Sequence, residues 1–231
     1  VWATSNLTTR MSGPRLFYTG QRLLGQGKYF KALRYLQKSA KQLPHWGVVH
    51  LELARALRQT GAPSEKIAAS LQQAERLLPS NPRVYVNAGL FWEAEGENKR
   101  ALRYYQKAIA MRYSLNIPCL HAARLWISRG EGKKGIPCLK NWLQYNKDLS
   151  TIHRLLARSH EQAKHIAQAA RHWNITLSYR PHSVTLLQEA FLFYVRHASS
   201  RSSRKRRAWM RTLRSMRRRI MRQLSLQRKR R

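Results

Sequence analysis

Apolar residues recur every three or four positions along most of this chain, which is the spacing of one face of an amphipathic α-helix. The pattern is clearest between residues 81 and 111, where two such segments are joined by a short turn at Gly96. Their apolar positions are Tyr85, Ala88, Gly89 and Trp92 in the first segment and Ala101, Leu102, Tyr105, Ala108 and Ile109 in the second. Two helices of this length cannot bury both apolar faces against each other alone, so the pattern predicts copies of the pair on both sides.

The copies are present, because the same pattern returns with a period of 34 or 35 residues. Glycines stand at the end of successive first helices, at Gly27, Gly61, Gly96 and Gly130. A ladder of small residues runs through the first helices, at Gly20, Ala54, Gly89, Ala123 and Ala157. A small side chain lets the paired helix approach closely, and glycine accommodates the left-handed backbone that ends many helices. The period therefore predicts five stacked helix pairs.

These positions resemble the tetratricopeptide repeat (TPR) family, whose units carry a small residue at position 8, an aromatic residue at 11, Ala at 20 and Pro at 32. The resemblance covers about residues 13 to 181. Its further matches are Ala32, Ala101 and Ala169 at position 20, and Pro44, Pro79 and Pro181 at the end of the unit. The fourth unit departs from the pattern, with Gly135 in place of Ala and Lys147 in place of Pro. The half-a-TPR repeat of RNA-processing factors is the alternative, indicated by Trp92 and Glu95.

The resemblance implies an all-α fold, a right-handed α-solenoid of TPR-like helix pairs with a capping helix and a basic C-terminal helix. The predicted pairs span 14–26 and 29–42, 47–60 and 64–78, 82–95 and 98–112, 116–129 and 132–145, and 149–162 and 165–178. A helix over 183–197 is expected to cap the last apolar face. The predicted domains are an N-terminal arm (1–12), the solenoid with its cap helix (13–197) and an Arg-rich tail (198–231).

Composition adds a large positive charge to this picture. The 231 residues include 45 Lys and Arg against 10 Asp and Glu, which gives a net charge of +35. Residues 199–231 hold 15 basic residues and no acid, so residues 1–198 hold the other 30 and all 10 acids. A solvated structural surface would mix both signs. The excess therefore predicts a polyanionic partner, with nucleic acid favoured over an anionic membrane surface.

The tail carries an apolar stripe at helical spacing, formed by Trp209, Leu213, Met216, Ile220 and Leu224. Basic residues occupy much of the remaining surface of this predicted helix. Like charges four residues apart weaken an isolated helix, so we expect it to fold fully only when phosphates or acidic groups neutralise it. The predicted polyanion-binding residues are Arg204, Lys205, Arg206, Arg207, Trp209, Arg211, Arg214, Arg217, Arg218, Arg219 and Arg222.

A second candidate site follows from the register of the resemblance, which implies that the first helix of each pair lines a concave inner face. The predicted partner groove comprises Phe17, Gln21, Arg55, Arg58, Leu90, Arg124, Arg154 and Arg158. Arginine forks on such a face fit carboxylates or phosphates of a partner. Arginines that are simply solvated explain the same pattern equally well, and both interpretations stay open at this point.

The remaining residues give no catalytic or metal-binding motif. Cys119 and Cys138 have no zinc spacing and are expected to be small core residues that form no bridge. The histidine pairs His153/His160 and His165/His172 are seven residues apart, and the first pair falls on aromatic packing positions, which disfavours a metal site. No nucleophile motif or phosphate-cradling loop is present. We therefore expect no enzymatic activity, no metal and no cofactor.

Together these patterns predict a non-enzymatic scaffold in a ribonucleoprotein assembly, such as an organellar ribosome-like particle or an RNA-processing complex. The concave face would bind proteins, and the tail would bind phosphates of RNA, more than DNA, without reading sequence. The alternatives are an adaptor that binds only acidic proteins and an adaptor on anionic membranes. Because the sequence begins at Val1 with a Ser- and Thr-rich stretch that lacks acids, we expect an intracellular location, such as a mitochondrial or plastid matrix after removal of an import segment.

Overall fold

A computed structural model of the chain describes residues 11–111, 116–144, 149–198 and 203–228, and the side chains of the last segment from 207 to 226. Most of the predicted N-terminal arm lies outside the described residues. So do the side chains of Arg204, Lys205 and Arg206. The described residues form twelve α-helices and no strand, as the repeat pattern predicted. They belong to two compact units, Val1–Tyr113 and Ser114–Arg231, which are described separately.

Unit 1 consists of three helix pairs that follow one another along the chain. Its helices are α1 (Gly13–Gly25), α2 (Tyr29–Gln42), α3 (Gly47–Gln59), α4 (Ser64–Leu77), α5 (Pro82–Ala94) and α6 (Asn98–Ala110). The two helices of each pair pack together, each second helix packs on the next first helix, and α3 also contacts α1 and α5. Each predicted boundary in this unit is correct to within about two residues.

The rungs of the small-residue ladder explain how closely the paired helices approach in unit 1. Gly89 on α5 faces the fully buried ring of Tyr105 on α6, and a Cβ added at Gly89 would lie 2.5 Å from Cε1 of that ring. Ala101, at position 20 of the same repeat, is completely buried. The small side chain and the large ring therefore fill one space between α5 and α6.

Unit 2 contains the remaining helices. They are α7 (Asn116–Ser128), α8 (Ile136–Leu143), α9 (Leu149–Gln162), α10 (Ile166–Tyr179), α11 (Val184–Arg196) and α12 (Ser203–Arg228), with a short 3-10 helix (Gly132–Gly135) before α8. The first, second and third pairs are α7 with α8, α9 with α10, and α11 with α12.

The second helix of the fourth repeat differs from the prediction of one helix over 132–145. Residues Gly132–Gly135 form a 3-10 turn, and α8 begins only at Ile136 with Pro137 in its first turn. The two glycines weaken helix formation here, and Pro137 is tolerated only near a helix start. The Gln162 side chain from α9 holds this turn, since its Oε1 accepts a hydrogen bond from the Gly132 amide at 2.8 Å and its Nε2 donates to the Ile127 carbonyl at 2.6 Å.

The turn inside the fifth repeat has the same backbone geometry as the other four turns, although it contains no glycine. The four ladder glycines all have left-handed backbone, with φ between 66° and 78°, as expected of helix ends. The fifth repeat places Lys164 at the same point, also with positive φ, at 59°. The turn geometry is therefore kept where the favourable residue is missing.

We expect Lys164→Gly to raise the free energy of unfolding by about 1 kcal/mol, because left-handed backbone is costly for a residue with a Cβ. Equilibrium denaturation of the full chain measures this change. Gly130→Ala is the reciprocal variant, and it should lower stability by a similar amount. Equal stability of the wild type and Lys164→Gly would contradict the assigned turn geometry.

The apolar core of unit 2 ends on α12. Leu187, Ala190 and Phe193 of α11 are fully buried, and Leu213 and Met216 of α12 are 7% and 3% exposed in the same cluster. We expected α11 to cap the array and the tail to form a separate segment. The structure differs, because the apolar stripe of α12 covers a side of α11 that would otherwise be exposed to solvent. Burying such a side chain contributes about 1.5–3 kcal/mol, which offsets the repulsion among the arginines of α12.

The two cysteines form a disulfide bond between α7 and α8, so the expectation of two unbridged core residues is wrong. Cys119 is fully buried, and its Cα lies 5.8 Å from that of Cys138, which suits a disulfide. The pairing depends on where α8 begins, and the spacing of the two residues in the sequence gives no indication of that. The bond joins the two helices of the most irregular repeat.

Candidate functional site

The exposed side of α12 is a continuous basic surface, which we term the arginine face. It consists of six exposed arginines, at Arg207, Arg211, Arg214, Arg217, Arg218 and Arg222. The apolar stripe of the same helix packs into unit 2, so that the two properties of α12 lie on different sides. No Asp or Glu follows Glu189 in the sequence, and the helix itself therefore supplies no counter-ion. All six were predicted polyanion-binding residues.

Two further predicted contact residues on α12 are packed against the protein. Trp209 is half-buried, with its ring 4.6 Å from that of Tyr194 and 5.7 Å from that of Phe193. Arg219 is also half-buried, and its Nη2 donates a hydrogen bond to the Pro181 carbonyl at 2.5 Å. Both side chains help to dock α12, which corrects their assignment as residues that mainly contact a partner.

A cleft of about 600 Å³ runs between α10 and α12 beside the arginine face. Arg211 and Arg219 lie on its α12 side, and hydroxyl groups come from Ser178, Thr212 and Ser215. Guanidinium and hydroxyl groups are the usual donors to phosphate oxygens. The cleft extends the arginine face toward the body of unit 2.

The membrane alternative depended on the apolar stripe being available for insertion into lipid. Leu213 and Met216, at the centre of the stripe, are buried against the protein, whereas Leu224 near its end is 36% exposed. No helix among the described residues combines the length and apolarity that a membrane span needs. The stripe therefore has a structural role in this chain.

The predicted groove region of unit 1 contains a buried carboxylate, Glu52, which the repeat pattern does not indicate. Glu52 on α3 is completely buried, and its carboxylate accepts from Arg55 Nη1 at 2.5 Å and from Arg83 Nη2 at 3.0 Å. The groove residue Arg55 is thus paired within the chain. Removing one partner of a buried ion pair leaves an uncompensated charge, so this trio fixes α3 against α5.

Arg58 lies one turn further along α3, where the charge of Arg55 and the Tyr105 hydroxyl affect its guanidinium. Burial, followed by the neighbouring Arg55 charge, lowers the pKa of Arg58 from its usual value. Nearby, the Tyr105 hydroxyl donates to Glu93 Oε2 at 2.6 Å. Burial and then this hydrogen bond raise the pKa of Tyr105. Arg58 remains a partly accessible cation on this side of the unit.

The remaining predicted groove residues of unit 1 are less accessible than expected. Phe17 is only 3% exposed and its ring lies 4.8 Å from that of Trp46, so it belongs to the core and not to an open groove. Trp46 precedes α3, and the register of the repeats gave no sign that it would cover this position. Gln21 and Leu90 are half-buried.

In unit 2 the predicted groove arginines fall into two groups. Arg154 is bound by Glu189 of α11 through two hydrogen bonds, of 2.8 Å from Nε and 2.5 Å from Nη2. Arg124 and Arg158 are exposed. Arg158 lines a cleft of about 330 Å³ together with the exposed Leu192 and the buried Trp173. An accessible cation beside apolar surface suits a carboxylate-bearing partner.

Four histidines form a row of rings in unit 2: His153 and His160 lie on α9, His172 lies on α10, and the exposed His165 precedes α10. His153 and His172 have their Nδ1 atoms 2.8 Å apart, His172 stacks on His160 with ring centroids 5.4 Å apart, and the His160 ring is followed by that of His165 at 5.6 Å. Burial, and then the nearby histidines and Lys140, lower the pKa of His172 to about 4. Within the described ranges, no group of His, Cys, Asp or Glu residues is arranged to hold a metal ion.

No protein-family model matches the sequence, and no curated protein matches it. Solved structures share its fold. A tetratricopeptide repeat protein from Parabacteroides merdae superimposes with a TM-score of 0.65 at 16% identity, over 79% of this chain and 72% of that chain. PilF of Pseudomonas aeruginosa gives 0.64 at 14% identity, over 87% and 88%. MamA of Desulfovibrio magneticus gives 0.64 at 12% identity, over 79% and 96%. At these identities the similarity establishes the fold alone.

Proposed function

We propose that this chain, which has the fold of tetratricopeptide repeat proteins, is a non-enzymatic adaptor that binds RNA through the arginine face of α12 and protein partners through its helical repeats. The arginine face is the observation that carries the proposal. Six exposed arginines occupy one helix whose opposite side is buried, and the helix has no acidic residue of its own. An assembly of RNA and protein fits these two kinds of surface.

The chemistry of the arginine face matches a phosphate backbone. Residues 207 to 222 span about 22 Å along the helix at 1.5 Å per residue, so several phosphates can be contacted together. Each guanidinium offers a planar fork of donors, and each neutralised phosphate releases condensed counter-ions. Such contacts hold the backbone without distinguishing bases, and we therefore expect binding without sequence specificity.

Docking of α12 adds to this argument. An isolated helix with this charge would be weakened by its own repulsion. In unit 2 the buried stripe holds the helix in place before RNA binds. Less ordering is then required on binding, and preorganised donors bind more tightly than flexible ones.

We expect the triple variant Arg211→Gln, Arg214→Gln and Arg218→Gln to bind single-stranded RNA about 10- to 100-fold more weakly than the wild type at 0.1 M salt, because up to three phosphate contacts are lost. Fluorescence anisotropy with a labelled oligouridine measures the affinity. The matched control replaces three exposed basic residues of unit 1, Lys66, Arg76 and Arg103, by Gln. It changes the net charge equally and should have a much smaller effect. Equal losses for the two variants would indicate a diffuse charge effect and overturn the site.

The disulfide favours a second candidate, an adaptor that binds only acidic proteins. The Cys119–Cys138 bond would persist in an oxidising compartment. The intracellular matrix location expected from the N-terminal stretch is a prediction without structural support. The inner-face cations Arg58, Arg124 and Arg158 would then meet carboxylates. The anisotropy titration separates the two candidates. If the chain binds only acidic proteins, the wild type should bind RNA no more tightly than the α12 triple variant does.

A further inference from the structure

A second basic surface lies on α2, at the opposite end of the sequence from α12. It is a ridge formed by Lys31, Arg34, Lys38 and Lys41, and all four are exposed. Their spacing of three, four and three residues places them on one side of the helix. None of the four forms a salt bridge with a carboxylate among the described residues.

The local sequence explains why the α2 ridge lacks counter-ions. No Asp or Glu occurs before Glu52, so the whole first helix pair is without acid. Glu52 itself is buried and bound by Arg55 and Arg83. Among the described residues no carboxylate pairs with the ridge, and a partner with carboxylates or phosphates would be attracted to its positive charge.

Two clefts with apolar walls flank the α2 ridge. The cleft toward α1, of about 780 Å³, is lined by Met11, Leu16 and Tyr35 in addition to the basic residues. The cleft toward α3, of about 630 Å³, is lined by Ala40 and Leu53. The ridge thus offers a row of cations between two apolar recesses.

We infer that the α2 ridge and its flanking clefts bind an acidic amphipathic segment of a protein partner. Carboxylates of the segment would pair with the lysines of the ridge, and its apolar side chains would enter the recesses on either side. A phosphate backbone carries no apolar side chains for those recesses. A second copy of this chain is disfavoured because two chains of +35 repel each other.

The residue types agree with this partner. Three of the four cations on the ridge are lysines, whose flexible stems can follow carboxylates that are not fixed in one plane, whereas the six cations of the arginine face suit phosphate forks. The ridge belongs to unit 1 and shares no residue with α12. The inference goes beyond the proposed function, and it holds or fails independently of RNA binding.

The probe is a labelled synthetic peptide of about twelve residues that combines Glu on one helical face with Leu and Phe on the other. Two matched probes are the same peptide with Ser in place of Leu and Phe, and an oligouridine of similar charge. Each is titrated against the full-length chain at physiological salt. We expect the amphipathic peptide to bind more tightly than the Ser peptide, because only the first fills the apolar recesses.

The triple variant Lys31→Gln, Lys38→Gln and Lys41→Gln should bind the amphipathic peptide about tenfold more weakly. The α12 triple variant Arg211→Gln, Arg214→Gln and Arg218→Gln has the same net charge as the lysine variant. It should bind the peptide as tightly as the wild type does. Because all three lysines are exposed, unchanged thermal unfolding of the first variant is expected and serves as the folding check. Equal binding of the Ser peptide or retention of peptide affinity by the lysine variant would overturn the inference. So would a lysine variant that loses more affinity for oligouridine than for the amphipathic peptide.

Discussion

Lowering the pH from 7 to 4.5 should reduce the free energy of unfolding of unit 2 by roughly 2–3 kcal/mol through His172 alone. Burial lowers the pKa of His172 to about 4, whereas the usual value is 6.5. Below pH 6.5 the unfolded chain therefore binds a proton that the folded chain does not. The stabilisation is present above pH 6.5 and is lost as the pH falls toward 4.

The surroundings of His172 reinforce this effect. His153 and His160 also have pKa values lowered chiefly by burial, and His165 and Lys140 add positive charge near the stack. The ring of Tyr179 also stacks on that of His153, with centroids 6.3 Å apart. Among the residues that the structure describes, no carboxylate shifts the pKa values of the three histidines, so none of these residues compensates their protonation.

Denaturant titrations at several pH values measure the effect, with amide exchange in α9 and α10 as the local readout. His172→Phe keeps an aromatic ring in the stack and removes the titration, so its stability should vary less with pH. His45→Gln removes an exposed histidine of unit 1 and should leave the wild-type profile unchanged. Constant protection of α9 and α10 between pH 7 and 4.5 would contradict the buried stack.

Removing the stripe contacts of α12 should have an effect of similar or larger size. The double variant Leu213→Ala and Met216→Ala truncates two side chains that are 7% and 3% exposed in the core of unit 2. Each truncation of this type costs about 2–5 kcal/mol. The two positions are neighbours on one helix, so we expect a combined loss of about 4 kcal/mol, less than the sum of two independent losses.

The same helix offers a matched control. Met210→Ala and Met221→Ala truncate side chains that are 39% and 61% exposed, and this pair should change stability by about 0.5 kcal/mol or less. Chemical denaturation of the full chain compares the two double variants. If both pairs have the same small effect, α12 is not packed on α11, and the arginine face would no longer be a preorganised surface.

The helix pairs could be predicted because their signals are local and repeated. A small residue at each close approach and a periodic apolar face agree over five copies, and a glycine ends the first helix in four of them. The exception at α8 is itself local, since Gly135 and Pro137 prevent a continuous helix there. Boundaries were therefore accurate wherever the repeat was regular.

The candidate sites could be predicted only in part, because a side chain's environment depends on residues far away in the sequence. The stripe of α12 indicated an amphipathic helix but not that α11 would cover it. Arg55 was expected to be accessible, yet Glu52 meets both Arg55 and Arg83, which stands 31 residues further along the chain from Glu52. No periodicity reveals such a pairing. The run of arginines in the tail, by contrast, is visible in the sequence, and six of them are exposed on α12.

The salt dependence of RNA affinity tests most directly whether the arginine face binds phosphates. For single strands, the logarithm of affinity falls with the logarithm of salt concentration by about 0.7 per neutralised phosphate. The variant Arg211→Gln, Arg214→Gln and Arg218→Gln should therefore show a slope shallower than that of the wild type by about 2, with an unchanged free energy of unfolding. Identical slopes for the two proteins would contradict RNA binding by α12.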